Sequence, residues 1–425
     1  MTDVLAAEFS SSDKSQFFHS ELTEQKVLII DDLSDMRILL KSLMVNLGYG
    51  FIDTIPTAKR AFESIRNTQY DLILCDYNLG EDFNGQHVLE YARRFYTTSH
   101  ICSFIMVTAD TSYENVVGVM EYEPDGYLVK PFLPNAFQRR IERVIEQKFN
   151  FSHIDKARAD KDYELMESLS KKVMLDFPQY LSLCLKAIGE SLTKRGLFKQ
   201  AREHYFSITQ DKPNYAWAFF HLALCDLKLE SHALAIEHFK QTLSLNKHFL
   251  SAYDHLATAY EASEELTLAQ KALVDVLAIS SRSLERNIRL GKLSLKLNDW
   301  ETAEVTYSRV IRYVRETEKE NFERYYVHLR VLTKLIEQRP DDSELTEKFR
   351  RSLFRLRVIA QDNPVALSNS YRAELQRYLI IEQLEDAIRV WREWDILIRS
   401  QEAAPLNHLQ ELNLKRKLGL VIMTL

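Results

Sequence analysis

Glycine and proline are scarce, with 10 and 9 among 425 residues, well below the roughly 7% and 5% of ordinary proteins. Turn-rich all-β folds, collagen-like chains and long disordered linkers are therefore excluded. Cysteine is also rare. Cys75, Cys102, Cys184 and Cys225 lie far apart, without the paired spacing of a metal knuckle, and fit buried thiols in a reducing compartment better than a disulfide framework. No run approaches 18 uncharged apolar residues, so no membrane span is expected. The first residues, MTDVLAAEFSSSDK, lack the basic start and apolar run of a secretory leader, and a cytoplasmic location is expected. A strong basic surplus is missing too. The net charge of −6 divides as −3 over residues 1–23, −5 over 24–148 and +2 over 149–425, which argues against a dedicated nucleic-acid binder. Hydrophobic residues make up 46%, enough for a sizeable core in a mostly helical protein.

Two textures follow a polar, Ser-rich arm at residues 1–23. From Lys26 apolar runs alternate with helical stretches: KVLII (26–30), a weaker strand at 50–54, DLILC (71–75), SFIMVT (103–108) and YLV (127–129). Helices are expected at 35–47, 56–67, 85–95, 113–121 and 134–148. This alternation predicts an α/β doubly wound, five-stranded parallel sheet over residues 24–148, with its chemistry beyond the carboxyl ends of the strands. After Phe149 the strands stop and an all-α part begins.

That second part repeats. Gly189, Ala223, Ala257 and Gly291 recur every 34 residues; Ala201, Ala235, Ala269 and Ala303 follow twelve behind, and Tyr205, Phe239, Leu273 and Tyr307 four further on. Small residues let two helices cross closely and large ones fill the next layer, so stacked helical hairpins are expected over 152–317. The pattern resembles the tetratricopeptide-repeat family, best matched over about 182–317. It departs from it at Asp226 and Ser294, where an aromatic is common. Residues 153–178 read as a degenerate preceding unit. Residues 318–425 read as further helices, with Ala387, Trp391 and Trp394 in a decayed repeat and a capping helix at the end.

Acidic and basic residues mark the strand ends. Asp31 and Asp32 follow the first apolar run, Asp76 the second, Thr108 ends the third, and Lys130-Pro131 follow the fourth. Taken alone, an Asp-Asp pair after a strand is a helix N-cap, and Asp76 a turn residue. Together, converging carboxylates need a cation; a hard divalent ion such as Mg²⁺ beside a lysine suits phosphoryl transfer.

Residues 25–148 resemble a response-regulator receiver. The resemblance implies Asp76 as phospho-acceptor, with Lys130 and Thr108 assisting and Thr108 and Tyr127 as switch residues. It also implies Mg²⁺ held by Asp31, Asp32, Asp76 and the Asn78 backbone carbonyl. Asn78 and Asp110 occupy positions that influence hydrolysis, implying a phosphoryl lifetime of minutes. The implied protein is a two-component response regulator that catalyses only its own phosphorylation and dephosphorylation. A sensor histidine kinase or phosphotransfer protein would be the donor, and phosphorylation would control which protein the repeats bind. In the repeat frame Trp217, Phe220, His221, Arg289, Lys292 and Lys296 are candidate groove residues, the alternative being that Trp217 and Phe220 simply pack inside the array. The alternatives are a phosphorylation-independent scaffold, or nucleic-acid contact through the stripe Arg282, Arg286, Arg289, Lys292 and Lys296. A homodimer is left open.

Overall fold

A computed structural model describes residues 22–80, 83–95, 102–109, 124–280, 283–317 and 319–420. Most of the arm, the expected helix at 113–121, Asp110 and Arg282 lie outside the described residues. The chain divides into two compact units, residues 1–252 and 253–425.

In the first unit, β1 (Lys26–Ile30), β2 (Phe51–Ile55), β3 (Leu72–Asp76), β4 (Ser103–Thr108) and β5 (Gly126–Val129) form one parallel sheet in the order β2-β1-β3-β4-β5. Strand alternation sends successive side chains to opposite faces, and here both faces are covered. Leu28, Ile30, Ile73, Cys75, Phe104 and Met106 pack under α2 (Ala58–Asn67) and α3 (Gly85–Phe95). Val27, Ile29, Leu72, Leu74, Ile105 and Val107 pack under α1 (Ser34–Asn46) and α4 (Pro134–Ala159). Two-sided burial explains why the inner strands read as unbroken apolar runs, whereas edge strand β2 is largely exposed.

The helix expected to end at Lys148 instead runs to Ala159. Phe149-Asn150-Phe151-Ser152 contains neither proline nor glycine to stop it. Phe151 and Ile154 are buried with Met166, Tyr180 and Cys184, in the core shared by α4, α5 (Tyr163–Asp176) and α6 (Leu181–Lys194). The expected boundary at 148–152 thus falls inside one helix.

Helical hairpins follow: α6 with α7 (Phe198–Asp211), then α8 (Ala216–Lys228) with α9 (His232–Leu245), then α10 (Leu250–Ala262), which carries the chain into the second unit. That unit continues with α11 (Leu266–Ile279), α12 (Leu284–Lys296), α13 (Trp300–Val314), α14 (Phe322–Gln338), α15 (Ser343–Ile359), α16 (Pro364–Ile380), α17 (Leu384–Arg399) and α18 (His408–Lys417). The small-residue series is buried throughout. A Cβ on Gly189 would lie 2.3 Å from the Tyr205 ring, and one on Gly291 would lie 2.8 Å from the Tyr307 ring. Glycine therefore stands where the facing position is tyrosine, and alanine where it is phenylalanine or leucine. Where Asp226 replaces the usual aromatic, its buried carboxylate accepts from Arg202 Nε at 2.6 Å and pairs with His238 Nδ1 at 2.7 Å.

In the second unit, burial would raise the Glu304 carboxyl pKa, but the neighbouring His328, the Ser308 hydroxyl and the Lys348 ammonium outweigh it and hold it at about 2. A depressed carboxyl contributes stability above its unfolded pKa and loses it as pH falls toward the folded value. E304Q is expected to lower the unfolding free energy at neutral pH by on the order of 2–3 kcal/mol. The difference from wild type should narrow as pH falls below about 4. Urea titrations across pH check this; a difference that grows on acidification contradicts it.

Candidate functional site

Parallel order 2-1-3 makes neighbours of β1 and β3 while their connections leave to opposite sides, so a crevice opens beyond their carboxyl ends. Asp31 and Asp32 follow β1 and Asp76 closes β3. Potential ligand atoms of the three carboxylates lie within 4.8 Å of one another, and among the described residues this is the one such group of three or more. Asp31 and Asp76 are buried and Asp32 is exposed at the mouth. The chain also uses Asp31 as a turn residue: its Oδ1 accepts from Leu33 N at 3.0 Å. The Arg37 guanidinium donates to the main-chain oxygens of Asp31, at 2.7 Å, and Asp32, at 3.0 Å, fixing the loop's course. The helix-cap reading of the Asp-Asp pair is not borne out, since the N-cap of α1 is Leu33, with no side-chain cap bond.

Lys130 reaches this cluster from the end of β5. Its Nζ donates to Asp31 Oδ2 at 2.8 Å and lies 3.1 Å from Asp76 Oδ2. Its own amide donates to the Thr108 carbonyl at 2.7 Å, which ties the β5 exit to the end of β4. Thr108 is fully buried and pairs in register with Val129, while Asp76 pairs with Val107. The sheet thus brings Asp31, Asp32, Asp76, Thr108 and Lys130 to one end. Burial raises the Asp76 carboxyl pKa; Lys130 and the Asn78 backbone N–H, which donates to it, oppose that rise. Burial would lower the Lys130 pKa, but the hydrogen bond to Asp31 and the charge of Asp76 reverse the sign and raise it. Burial, with the charges of Asp76 and Asp31, pushes the Cys75 thiol well up, so this neighbour of Asp76 is no nucleophile.

The donor set fits a hard divalent cation. Three carboxylates around one point, with a single ammonium among them, leave negative charge that oxygen-loving Mg²⁺ would balance. Tyr127 stands opposite Met106 on the neighbouring strand and packs half-buried against the α2–α3 core.

Gly85 was not singled out by its sequence, yet it shapes the site. It opens α3, donates its amide to the Tyr77 carbonyl at 2.7 Å, and leaves no room for a side chain: a Cβ would meet the Asp76 carbonyl oxygen at 2.3 Å. Its rarity as a helix-opening glycine just after an acidic loop was the available signal.

The helical part distributes its candidates unevenly. In the first unit the Lys186 ammonium lies 5.1 Å from the Trp217 ring centroid, and His221 stacks on Tyr205 at 5.1 Å. Phe220 is core, not groove: it is 7% exposed and packs 4.6 Å from Phe249 and 5.9 Å from Phe239. In the second unit Arg289 pairs with Glu261 at 2.8 Å and Arg286 with Asp254 at 2.7 Å, whereas Lys292 and Lys296 are exposed. The expected basic stripe is thereby neutralised at two of its five positions, which reduces the charge available to bind phosphate. His204 bonds the Leu185 carbonyl and His238 bonds Asp226.

Comparison with known proteins agrees with this geometry. The family description "Response regulator receiver domain" matches residues 27–142. The chain is similar to the chemotaxis protein CheY of Pseudomonas aeruginosa, 27% identical over 122 residues, covering 29% of this chain and 97% of that protein. It is likewise similar to chemotaxis protein CheY-3 of Vibrio cholerae, 25% identical over 29% of this chain and 92% of that protein. A solved tetratricopeptide repeat protein from Parabacteroides merdae is similar at 12% identity and a TM-score of 0.35, covering 64% of this chain and 98% of that one. Among the described residues no helix is long and apolar enough to cross a membrane. The amino-terminal part of this chain is a response-regulator receiver domain, and a helical repeat array resembling tetratricopeptide-repeat proteins follows it.

Proposed function

We propose that Asp76 accepts a phosphoryl group from a histidine-bearing kinase or phosphotransfer protein, and that its phosphorylation state controls protein binding by the helical array. The convergence of Asp31, Asp32, Asp76 and Lys130 at one sheet end carries this reading. The Asp76 carboxylate attacks phosphorus; the P–N bond of phosphohistidine breaks, and its electron pair leaves with the imidazole, which takes up a proton. Lys130, already 3.1 Å from Asp76, pairs with the phosphoryl oxygens as they arrive. Thr108 offers a hydroxyl at the end of the adjacent strand. Asp31, Asp32, Asp76 and the Asn78 carbonyl would hold Mg²⁺, whose charge offsets that of the incoming group. Leu33, Ile38 and Leu133 are exposed apolar side chains near this end of the sheet and suit a protein donor.

The output runs through packing. Drawing Thr108 toward the new oxygens frees room for Tyr127 to turn, a two-state rearrangement at the β4–β5 edge. Helix α4 packs on the sheet through Phe137, Ile141 and Val144 and on the first hairpin through Phe151 and Ile154. A continuous helix transmits a shift at one end to the other, unlike a Gly/Ser tether. The partner is a protein that meets Trp217, His221 and Lys186 in the first unit, or the cations Lys292 and Lys296 in the second. The expected result is that a stable beryllofluoride adduct at Asp76 changes hydrogen exchange along residues 149–194 as well as in the receiver. Changes confined to residues 25–148 would leave the array a phosphorylation-independent scaffold.

A further inference from the structure

The two carboxylates that follow β1 are anchored unequally. Asp31 is buried and committed through both oxygens, Oδ1 to the Leu33 amide at 3.0 Å and Oδ2 to Lys130 Nζ at 2.8 Å. Its own amide donates to the Ile55 carbonyl at 3.2 Å. Asp32 is exposed, and among the described residues one hydrogen bond reaches it. Arg37 Nη1 donates to its main-chain oxygen at 3.0 Å and, from the same nitrogen, to the Asp31 oxygen at 2.7 Å. Arg37 lies half-buried one turn into α1, and its amide donates to the Leu33 carbonyl at 3.1 Å. The side chain thus reaches back from a regular helix onto the loop that leads into it.

Those two carbonyls belong to the peptide planes on either side of the Asp32 Cα. Peptide units are rigid, so holding both fixes φ and ψ of Asp32 and with them the direction of its carboxylate. A charged donor makes such bonds stronger than neutral ones. The need for them is electrostatic. Three carboxylates with oxygens within 4.8 Å repel one another before any cation arrives. Asp31 and Asp76 are buried and paired with Lys130, whereas Asp32, at the mouth, is the one with room to swing outward. The charge of Arg37 acts in the opposite sense, since it repels an incoming divalent cation, although solvent and salt screen a half-exposed guanidinium. Orientation and charge therefore predict opposite signs when the side chain is removed.

We propose that Arg37 is a positioning residue for the cation site, holding the Asp32 carboxylate toward Asp31 and Asp76 and thereby setting the affinity for Mg²⁺. The inference rests on the reading of these three carboxylates as a metal site. Hydrogen bonds that orient metal ligands are worth about 10–100-fold in affinity, so R37A should weaken Mn²⁺ binding to the full-length protein about 10-fold or more. The paramagnetic resonance signal of free Mn²⁺ reads this directly, and competition with Mg²⁺ should give the same ratio. R37K keeps the charge and a donor on a shorter side chain, and should fall between R37A and wild type. It carries the comparison if R37A loses its circular dichroism spectrum. K41A removes an exposed cation from the next turn of α1 and should leave the affinity unchanged. Labelling of R37A by acetyl phosphate should be slow at low Mg²⁺ and approach wild type at saturating Mg²⁺. Variants at Arg37 that bind Mn²⁺ as tightly as wild type, or more tightly, would overturn the proposal, and so would an equal weakening in K41A. Wild-type protein without saturable Mn²⁺ binding would instead overturn the metal-site reading on which the inference rests.

Discussion

Asp76→Asn is expected to abolish acid-labile phosphoryl labelling, from a kinase and from a small donor such as acetyl phosphate alike. Asparagine matches aspartate in shape, so the end of β3 keeps its course and its hydrogen bond from the Asn78 amide. What is lost is the anionic oxygen: an amide cannot attack phosphorus, and no neighbour substitutes. The Cys75 thiol is held protonated by burial, Asp31 is engaged by Lys130 and the Leu33 amide, and Asp32 lies at the mouth. The expected loss exceeds about 100-fold. Asp32→Asn leaves the nucleophile in place and removes one carboxylate from the candidate metal set, so labelling should fall by about 10-fold and recover partly with added Mg²⁺. Autoradiography after gel separation, with hydroxylamine sensitivity as the mark of an acyl phosphate, reads both. Undiminished label on the Asp76→Asn protein sinks the assignment.

The residues that this experiment touches were legible because each sits at a strand end. An apolar run buried on both faces stops where the polar crevice at the sheet's carboxyl end begins, and the first polar residue marks the stop. Asp31, Asp76, Thr108 and Lys130 are such marks, and parallel topology alone brings them to one edge. The 34-residue series was legible for a similar reason, since helix crossing at fixed intervals demands small residues at those intervals. Features set by partners distant in sequence were not. Phe220 reads as a groove residue until Phe249 is seen against it. Arg286 and Arg289 read as a charge stripe until Asp254 and Glu261, about one repeat earlier, neutralise them. The extent of α4 is a third case. Nothing between Phe149 and Ser152 stops a helix, but whether it continues is decided by the pocket that Met166, Tyr180 and Cys184 offer to Phe151 and Ile154.

Gly85 tests the link between local packing and the site. Its amide bonds the Tyr77 carbonyl, and the position of its missing Cβ is 2.3 Å from the Asp76 carbonyl oxygen and 2.9 Å from Met106 Sδ. The sulfur sits on a flexible side chain and can yield. The carbonyl cannot, because the strand that carries it is fully buried and hydrogen-bonded to β1 and β4. Gly85→Ala must therefore push α3 away from the sheet or displace the backbone at Asp76. The first course opens the packing of Val88, Leu89 and Ala92; the second moves the nucleophile relative to Lys130. Overpacking against main chain costs about 1–3 kcal/mol, and a shift near 1 Å at a reacting group costs about 100-fold in rate. The expected result is a lowered denaturation midpoint together with labelling slowed more than about 10-fold under conditions where the variant stays folded. Gln86→Ala, at the next position along α3, removes a side-chain bond to Glu90 at 3.4 Å but adds no atom against the end of β3, and should slow labelling far less. Should Gly85→Ala fold and label like wild type, α3 is not held against the end of β3 in solution. The loop from Tyr77 to Asn84 would then be positioned by something other than this contact.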